Sequence, residues 1–465
     1  MYLSLNRVRL RAKFWLICLI AVGVHAQPGL DVRINFGEPL PKVDFESNKY
    51  LKQTKVFLDT FTARAGDVFE TGYNFEKQKF EGGANPNSDE NVYRTCYAAS
   101  YLSGNGHYSN RANISYKNWL SSGAWGTCGT FFWGEHGSMC EHCNTPSLQA
   151  HWWRQNAQRS LIAAQAYWDC GIWDKENGYY NRHCSEDGGS GHEEYPRHGA
   201  YFTLFWGEAF KRSFSDRFLH YIDIMRNYFD THRTSTGQLR WKAGTEEVTL
   251  EWQTLSAAVD FWTSLPFIPR DNPLYDKVIE FALRNDTALV SIFPVFSRGR
   301  EEILRQESHK TNCIMPGHSR YWQLREIGRI DLANRYRDGI IEVADQWLNE
   351  VNVEDILWAG HAAHAIHNLL VAEEFTKDEN YLNRAKVIGD AAIERFFVHP
   401  IPYTANGLDP ETAGIGSYNR FEKQYLTRGG SDNNSGVPML PLSLLLLGTR
   451  IEQPNVRIFL PSTDR

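Results

Sequence analysis

The 465-residue chain lacks a basic excess: 49 Lys and Arg stand against 55 Asp and Glu, a formal net charge of −6. That balance argues against a nucleic-acid binder, whose domain normally carries surplus positive charge. Beyond the N-terminus it also lacks any apolar run long enough to cross a bilayer. Alternating strand patterns are scarce, which disfavours a sandwich or barrel of strands. No serine-centred nucleophile elbow, dinucleotide fingerprint or metalloprotease helix occurs, which removes the commonest motif-bearing hydrolases and oxidoreductases. Cysteines are few, eight in all.

What is abundant is aromatic: 15 Trp, 22 Tyr and 26 Phe. Such rings pack cores, and Trp and Tyr also suit flat ligands with apolar faces, sugars among them. At the N-terminus, Arg7, Arg9, Arg11 and Lys13 precede the apolar run from Phe14 to Val24 and the small-residue segment ending at Ala26. This is the layout of a secretory signal over residues 1–26, and a secreted or periplasmic protein is expected, with no membrane association once the signal is removed. Seven cysteines then remain: Cys96, Cys128, Cys140, Cys143, Cys170, Cys184 and Cys313. An odd number in an oxidising compartment leaves at least one thiol outside any disulfide. The tightest group is His136, Cys140, His142 and Cys143, whose soft ligands at short spacing suit a structural zinc, although a short-range disulfide fits them as well.

Apolar residues at i, i+3, i+4 and i+7 predict about twelve helices. The clearest cover 147–169, 197–212, 215–231, 250–264, 273–289, 330–348, 357–375 and 378–397, with weaker ones at 46–64, 90–103, 318–328 and 434–449. Turns between them resemble one another. Phe210 to Leu219, Ile327 to Tyr336 and Phe375 to Leu382 each set an apolar helix end, a polar turn and an apolar residue opening the next helix. Recurrence of that unit indicates stacked helix pairs. Twelve helices make six hairpins. The last helix, rich in Leu from Leu440 to Leu447, is too apolar to serve as a water-facing end cap, so the expectation is an all-α, closed ring in one domain over 27–449, with a short tail at 450–465. Two loop-rich insertions are expected at about 104–146 and 171–195. Long loops over a rigid frame are frequent carriers of function.

The densest polar constellation runs from Trp173 and Asp174 through Arg182, His183, His192 and Tyr195 to Arg197 and His198. Pro196 sits where a helix would begin, so Arg197 and His198 fall in a first turn that favours an anion nearby. A surface loop with incidental histidines is the plainer alternative. A second candidate is Trp358, His361, His364 and His367 on one helix, where Trp358 and His361 share a face one turn apart. Ordinary core packing explains those histidines equally well. Glu251 and Trp252 open another helix; Asp174 with Glu251 or Asp355 could form the acid pair of a glycosidase. His309 and His318, beside Pro316-Gly317, complete the candidates.

With these residues in view, the sequence resembles the six-hairpin (α/α) toroids among secreted carbohydrate-active proteins, a group of polysaccharide lyases, unsaturated glucuronyl hydrolases and sugar epimerases. The likeness is carried by Gly178-Tyr179-Tyr180-Asn181-Arg182-His183, by Pro196-Arg197-His198-Gly199-Ala200 and, loosely, by the stretch from Asp355 to His364. It spans roughly 145–449 and leaves the 104–146 insertion uncovered. The resemblance implies an (α/α)6 toroid with a glycan in its central hollow, and most resembles a lyase that cleaves an anionic, uronate-containing polysaccharide by β-elimination. It implies His183 or His198 as base, Tyr195 as acid, His361 as a further catalytic group, Arg182 and Arg197 as carboxylate clamps, and Trp206, Trp252 and Trp358 as stacking platforms, with Glu251 and His318 also at the substrate. Calcium or a structural zinc is compatible with such a protein. A hydrolase of uronate-containing oligosaccharides is the alternative, and a non-catalytic glycan-binding protein a third reading.

Overall fold

A computed structural model describes residues 42–69, 72–74, 79–81, 90–121, 153, 156–169, 173–174, 178–180, 196–240, 251–290, 311–356, 359–397, 400, 418–420 and 439–455. Thirteen α-helices lie among them: α1 (Lys49–Arg64), α2 (Glu90–Ser103), α3 (His107–Ser121), α4 (Ala157–Tyr167), α5 (Pro196–Ser213), α6 (Arg217–Thr231), α7 (Glu251–Thr263), α8 (Pro273–Val290), α9 (Thr311–Glu326), α10 (Ile330–Asn349), α11 (Ala359–Thr376), α12 (Glu379–Phe396) and α13 (Met439–Glu452). Short strands decorate them: β1 (Gly72–Asn74), β2 (Lys79–Glu81), β3 (Trp173–Asp174), β4 (Tyr179–Tyr180) and β5 (Tyr418–Arg420).

Two kinds of helix make two layers. In α10, Leu332, Ala333, Tyr336, Ile340, Val343, Ala344 and Trp347 are buried along one stripe, the spacing of a helix with a wet outer face. Helices α6, α8 and α12 are amphipathic in the same way. By contrast α11 and α13 are buried nearly all round, from Ala359 to Glu373 and from Met439 to Arg450. These are inner helices. Each outer helix packs on an inner one: α2 with α3, α5 with α6, α7 with α8, α9 with α10, α11 with α12, and α13 with α1. The inner helices touch in the order α2, α13, α11, α9, α7, α5, and α4 packs on α5. Six inner–outer pairs arranged around a common interior are the (α/α)6 toroid expected from the repeats. Side chains tie the seams. The Ser443 hydroxyl donates to Ala363 O at 3.0 Å between α13 and α11, and the Asn48 amide donates to Gly448 O at 3.1 Å, joining the chain's two ends.

The two ends of this ring differ. Four of the inner-to-outer connections are tight, and each of these carries a residue in the left-handed region: Gly104 (φ 71°), Phe214 (φ 53°), Gly328 (φ 75°) and Lys377 (φ 60°); the connection from α7 to α8 is longer and holds a 3-10 turn at Leu265–Phe267. There the helix C-terminus is closed by the next amide. Phe214 N–H donates to Phe210 O at 2.7 Å and Lys377 N–H to Glu373 O at 2.8 Å. The following helix then starts on a polar side chain. Asp378 accepts from Asn380 N at 2.9 Å, and Asn105 accepts from His107 N at 3.0 Å; Asp216 sits at the cap position without a side-chain bond. The turn repeat seen in the sequence is this unit.

Outer-to-inner connections are long and all emerge at the opposite end, because hairpins reverse direction at every turn. There β1 pairs antiparallel with both β2 and β5, joining the segment before α2 to the segment before α13. The β3–β4 hairpin pairs Trp173 with Tyr180, and the Trp173 ring meets Tyr228 near the C-terminal end of α6, edge to face at 5.4 Å.

Four boundaries differ from the sequence reading, the first being the helix expected at 147–169, which is capped by Asn156 and begins at Ala157. The stretch 104–146 is not loop from its start, since α3 occupies 107–121, its Tyr108, Ala112, Tyr116 and Trp119 turned inward among polar neighbours that obscure the period. Helix α9 begins at Thr311, seven residues earlier than expected. Pro316 and Gly317 read as breakers, but both lie inside the helix, and a β-carbon on Gly317 would touch Ile340 at only ordinary contact distance. The last helix runs into the expected tail: Arg450 is buried in α13 and pairs with Glu373 of α11 at 2.5 Å. No helix among the described residues is long and apolar enough to cross a membrane.

Candidate active site

Several candidate residues, spread from Asp174 to His361 in the sequence, are gathered by topology at one end of the ring. Arg197 and His198 lie in the first turn of α5, which Pro196 opens as expected. Glu251 and Trp252 are the first two residues of α7. Asp174 lies in β3, on the segment leading to α5. His361 is the third residue of α11. Since inner helices run parallel to one another, all these starts face the loop-rich mouth. The side chains of Asp174, Arg197, His198, Glu251 and Trp252 lie outside the described part of the structure, as do the whole residues Arg182, His183, Tyr195, His309 and Trp358. The segment holding His136, Cys140, His142 and Cys143 is likewise outside it. Among the described residues no group of three or more His, Cys, Asp or Glu is placed to hold a metal ion. Cys96 in α2 is free and buried, and burial pushes its thiol up to about 12, so it is an inert core residue.

Two expected substrate contacts prove to be core. Trp206 is fully buried in α5. Its indole N–H donates to Ala164 O of α4 at 3.0 Å, and its ring is stacked on Phe202 and edge-on to Trp168 and Tyr221. No face is left for a sugar. His318 is buried in α9, where Nε2 lies 3.1 Å from Glu374 Oε1 and 3.2 Å from the Trp322 indole nitrogen: carrying its proton it donates to Glu374, and without it it accepts from Trp322. Glu374 belongs to the last turn of α11, the end away from the mouth, so His318 stitches two inner helices together. Asp355 has a local task as well: it accepts from Asn352 N at 3.1 Å in a capping box ahead of α11.

The α11 histidines remain. His361 retains 7% of its exposure, and neither Nδ1 nor Nε2 has a hydrogen-bond partner. His367, two turns further in, is also buried, and its Nε2 has none. Desolvation, with His364 adding repulsion, lowers His361 to about 3; burial alone takes His364 to about 4, and burial together with His318 and His364 takes His367 to about 3. All three are neutral imidazoles at ordinary pH. A group so reluctant to accept a proton is a poor general base, so His361 fits hydrogen bonding better than the proton transfer expected of it.

The remaining charge clusters are structural. Arg320 on α9 and Asp286 on α8 are both fully buried and joined by two-pronged contact, with Nη2 to Oδ2 at 2.7 Å and Nε to Oδ1 at 3.0 Å. The Tyr336 hydroxyl donates to Asp286 Oδ1 at 2.8 Å, and the guanidinium lies 4.5 Å from the Trp262 ring centroid. Sequence reasoning passed over this pair, because nothing in the local pattern of either helix marks a charge as buried.

No family model and no curated protein matches the sequence. Among solved structures, the chain is similar to the unsaturated glucuronyl hydrolase of Bacillus sp. GL1, at 11% identity over 90% of this chain and 98% of that one, with a TM-score of 0.46. It is similar to the cellobiose 2-epimerase of Bacillus thermoamylovorans, at 10% identity over 84% and 98%, TM-score 0.43. It is also similar to an α-1,6-mannanase of Salegentibacter, at 8% identity over 86% and 100%, TM-score 0.43. The toroid assignment rests on the packing of the helices themselves.

Proposed function

We propose that this chain is an exported carbohydrate-active enzyme that binds an anionic, uronate-bearing glycan at the loop-rich mouth of the toroid and hydrolyses a glycosidic bond there. The observation that supports this most is that the backbone positions of Asp174, Arg197, His198, Glu251, Trp252 and His361 reach one end of the ring from three separate connections. Asp174 and Glu251 are the acid pair in this reading: one protonates the leaving oxygen, and the other activates water or attacks the sugar. Arg182 and Arg197 hold the uronate carboxylate through their planar forks, helped by the partial positive charge at the start of α5. Trp252 and Trp358 stack on sugar faces.

A second reading, β-elimination, uses the same mouth. His183 or His198 takes the proton beside the carboxylate and Tyr195 protonates the leaving oxygen. Hydrolysis is preferred because Asp174 and Glu251 offer two carboxylates on segments that reach this mouth, the pair a glycosidase needs. A structural zinc at His136, Cys140, His142 and Cys143 stays a proposal of the same kind, as do a calcium requirement and export by the N-terminal segment.

Digestion of pectate, alginate, ulvan and glycosaminoglycans, and of the unsaturated oligosaccharides made from them, separates the readings. Hydrolysis yields new reducing ends without added ultraviolet absorbance, or consumes the absorbance of an unsaturated uronyl substrate. Elimination creates that absorbance. Binding with no product of either kind would contradict both and leave a glycan-binding protein.

A further inference from the structure

The end of the ring away from the mouth has two unlike halves. On one, the α5–α6, α7–α8 and α9–α10 turns lie side by side, since α7 packs against both α5 and α9. Lys211 Nζ sits 5.7 Å from the Phe267 ring centroid, and the Gln323 amide donates to Thr263 Oγ1 at 3.4 Å, which ties the three turns into one surface. Three large apolar side chains are exposed there: Phe214 at 81%, Ile330 at 41% and Ile327 at 39%. Pro266 and Pro269 are exposed between them, and Phe267 partly so. The turns on the other half, 103–107 and 374–379, expose no large apolar side chain. Phe214 marks the apolar half most strongly. Its left-handed backbone costs a side chain about 1–2 kcal/mol, and within one chain its ring stays in water.

The charges around these apolar tips indicate what covers them. Segments 211–217, 266–271 and 325–331 hold six basic and four acidic residues, with both signs in every turn. An anionic lipid surface or polyanion would meet a carboxylate at each turn, and like charges brought together are costly. A second copy of the same face instead brings acids to these bases. In a two-fold contact, every residue that meets a second is matched by the second meeting the first. With the axis at the α7–α8 turn, Arg270 of each copy faces Asp271 of the other. The α5–α6 turn of one copy then lies over the α9–α10 turn of the other. Phe214 meets Ile327 and Ile330, and Lys211 and Arg217 meet Glu326. Within the chain, none of Lys211, Arg217, Arg270, Asp271 and Glu326 is engaged in an ion pair with a described residue.

We infer that this half of the face joins two copies of the chain back to back, leaving both mouths open to the medium. The pairing does not depend on which reaction takes place at the mouth.

Sedimentation velocity of the full mature chain tests it. The wild type is expected to pass from monomer to dimer as its concentration rises from about 1 to 100 μM. Phe214→Gly relieves the left-handed strain, so it is expected to stabilise the separated chain, measured below the dissociation concentration, while weakening the dimer about tenfold or more. Arg270→Asp sets like charges opposite each other twice per dimer and is expected to weaken it about tenfold as well. Adding Asp271→Arg to that variant is expected to restore the dimer, because the exchanged pair is again reciprocal; a folding defect would not be rescued in this way. A chain that stays monomeric throughout, or a dimer indifferent to both Phe214→Gly and Arg270→Asp, would overturn the interface. So would a monomer that binds phosphatidylglycerol vesicles through Phe214, which would assign the face to lipid.

Discussion

The two ends of the toroid obey different rules. At the tight-turn end, three-residue connections recur with a left-handed residue, a closed helix terminus and, in most cases, a polar cap, so the chain spends its local chemistry on geometry. At the mouth, connections are long, helix starts carry Arg, His, Glu and Trp, and a buried histidine has no partner. Between them lies a core in which even charges are paired.

Substitutions can break that contrast. Replacing Arg320 by Met leaves Asp286 buried without its partner and is expected to cost about 3–5 kcal/mol, seen in denaturant unfolding. A loss within experimental error would mean the frame does not depend on this pair. At the mouth, Glu251→Gln is expected to lower turnover about 100- to 10,000-fold while leaving the melting temperature unchanged. Arg197→Ala should instead raise KM for a uronate substrate and do little to a neutral glycoside. Equal effects on both would remove the carboxylate clamp.

Acid sharpens the same division. His361 and His367 titrate near 3 in the folded chain, against 6.5 for a free histidine. Between those values the unfolded chain binds protons that the folded chain refuses, so stability is level above about pH 6.5 and falls as pH drops toward 3. The slope is about 1.4 kcal/mol per pH unit for each histidine fully in that window. Unfolding free energies measured at about pH 7, 6 and 5 should show it, and His361→Phe should flatten it by one histidine's share. The smallest effect belongs to the tight turns. Phe214 is 81% exposed and left-handed, so Phe214→Gly is expected to stabilise by about 1 kcal/mol in thermal unfolding.

Much of the ring is legible in the sequence because outer helices must keep one dry face. The stripe of α10 and the apolar run of α13 give both layers away, and the turn repeat at Phe214, Gly328 and Lys377 gives the connection. Helix α3 is hidden because Asn, Ser and Arg crowd its sequence, and the start of α9 because a buried Pro316 is tolerated where a breaker is expected. Trp206 and His318 show the limit of reading sites from composition. A tryptophan on an inner helix looks the same whether it faces a glycan or Ala164, and a histidine the same whether its partner is a substrate or Glu374. Only the packed neighbours decide between them.

Hydrogen–deuterium exchange with and without an unsaturated glucuronyl disaccharide tests most directly which end of the ring takes the glycan. Slowed exchange at the first turns of α5, α7 and α11, with no change at the 214–216, 327–329 and 377–378 turns, is the result expected. Protection centred on those turns, or no protection at all from any uronate glycan that the protein turns over, would contradict it.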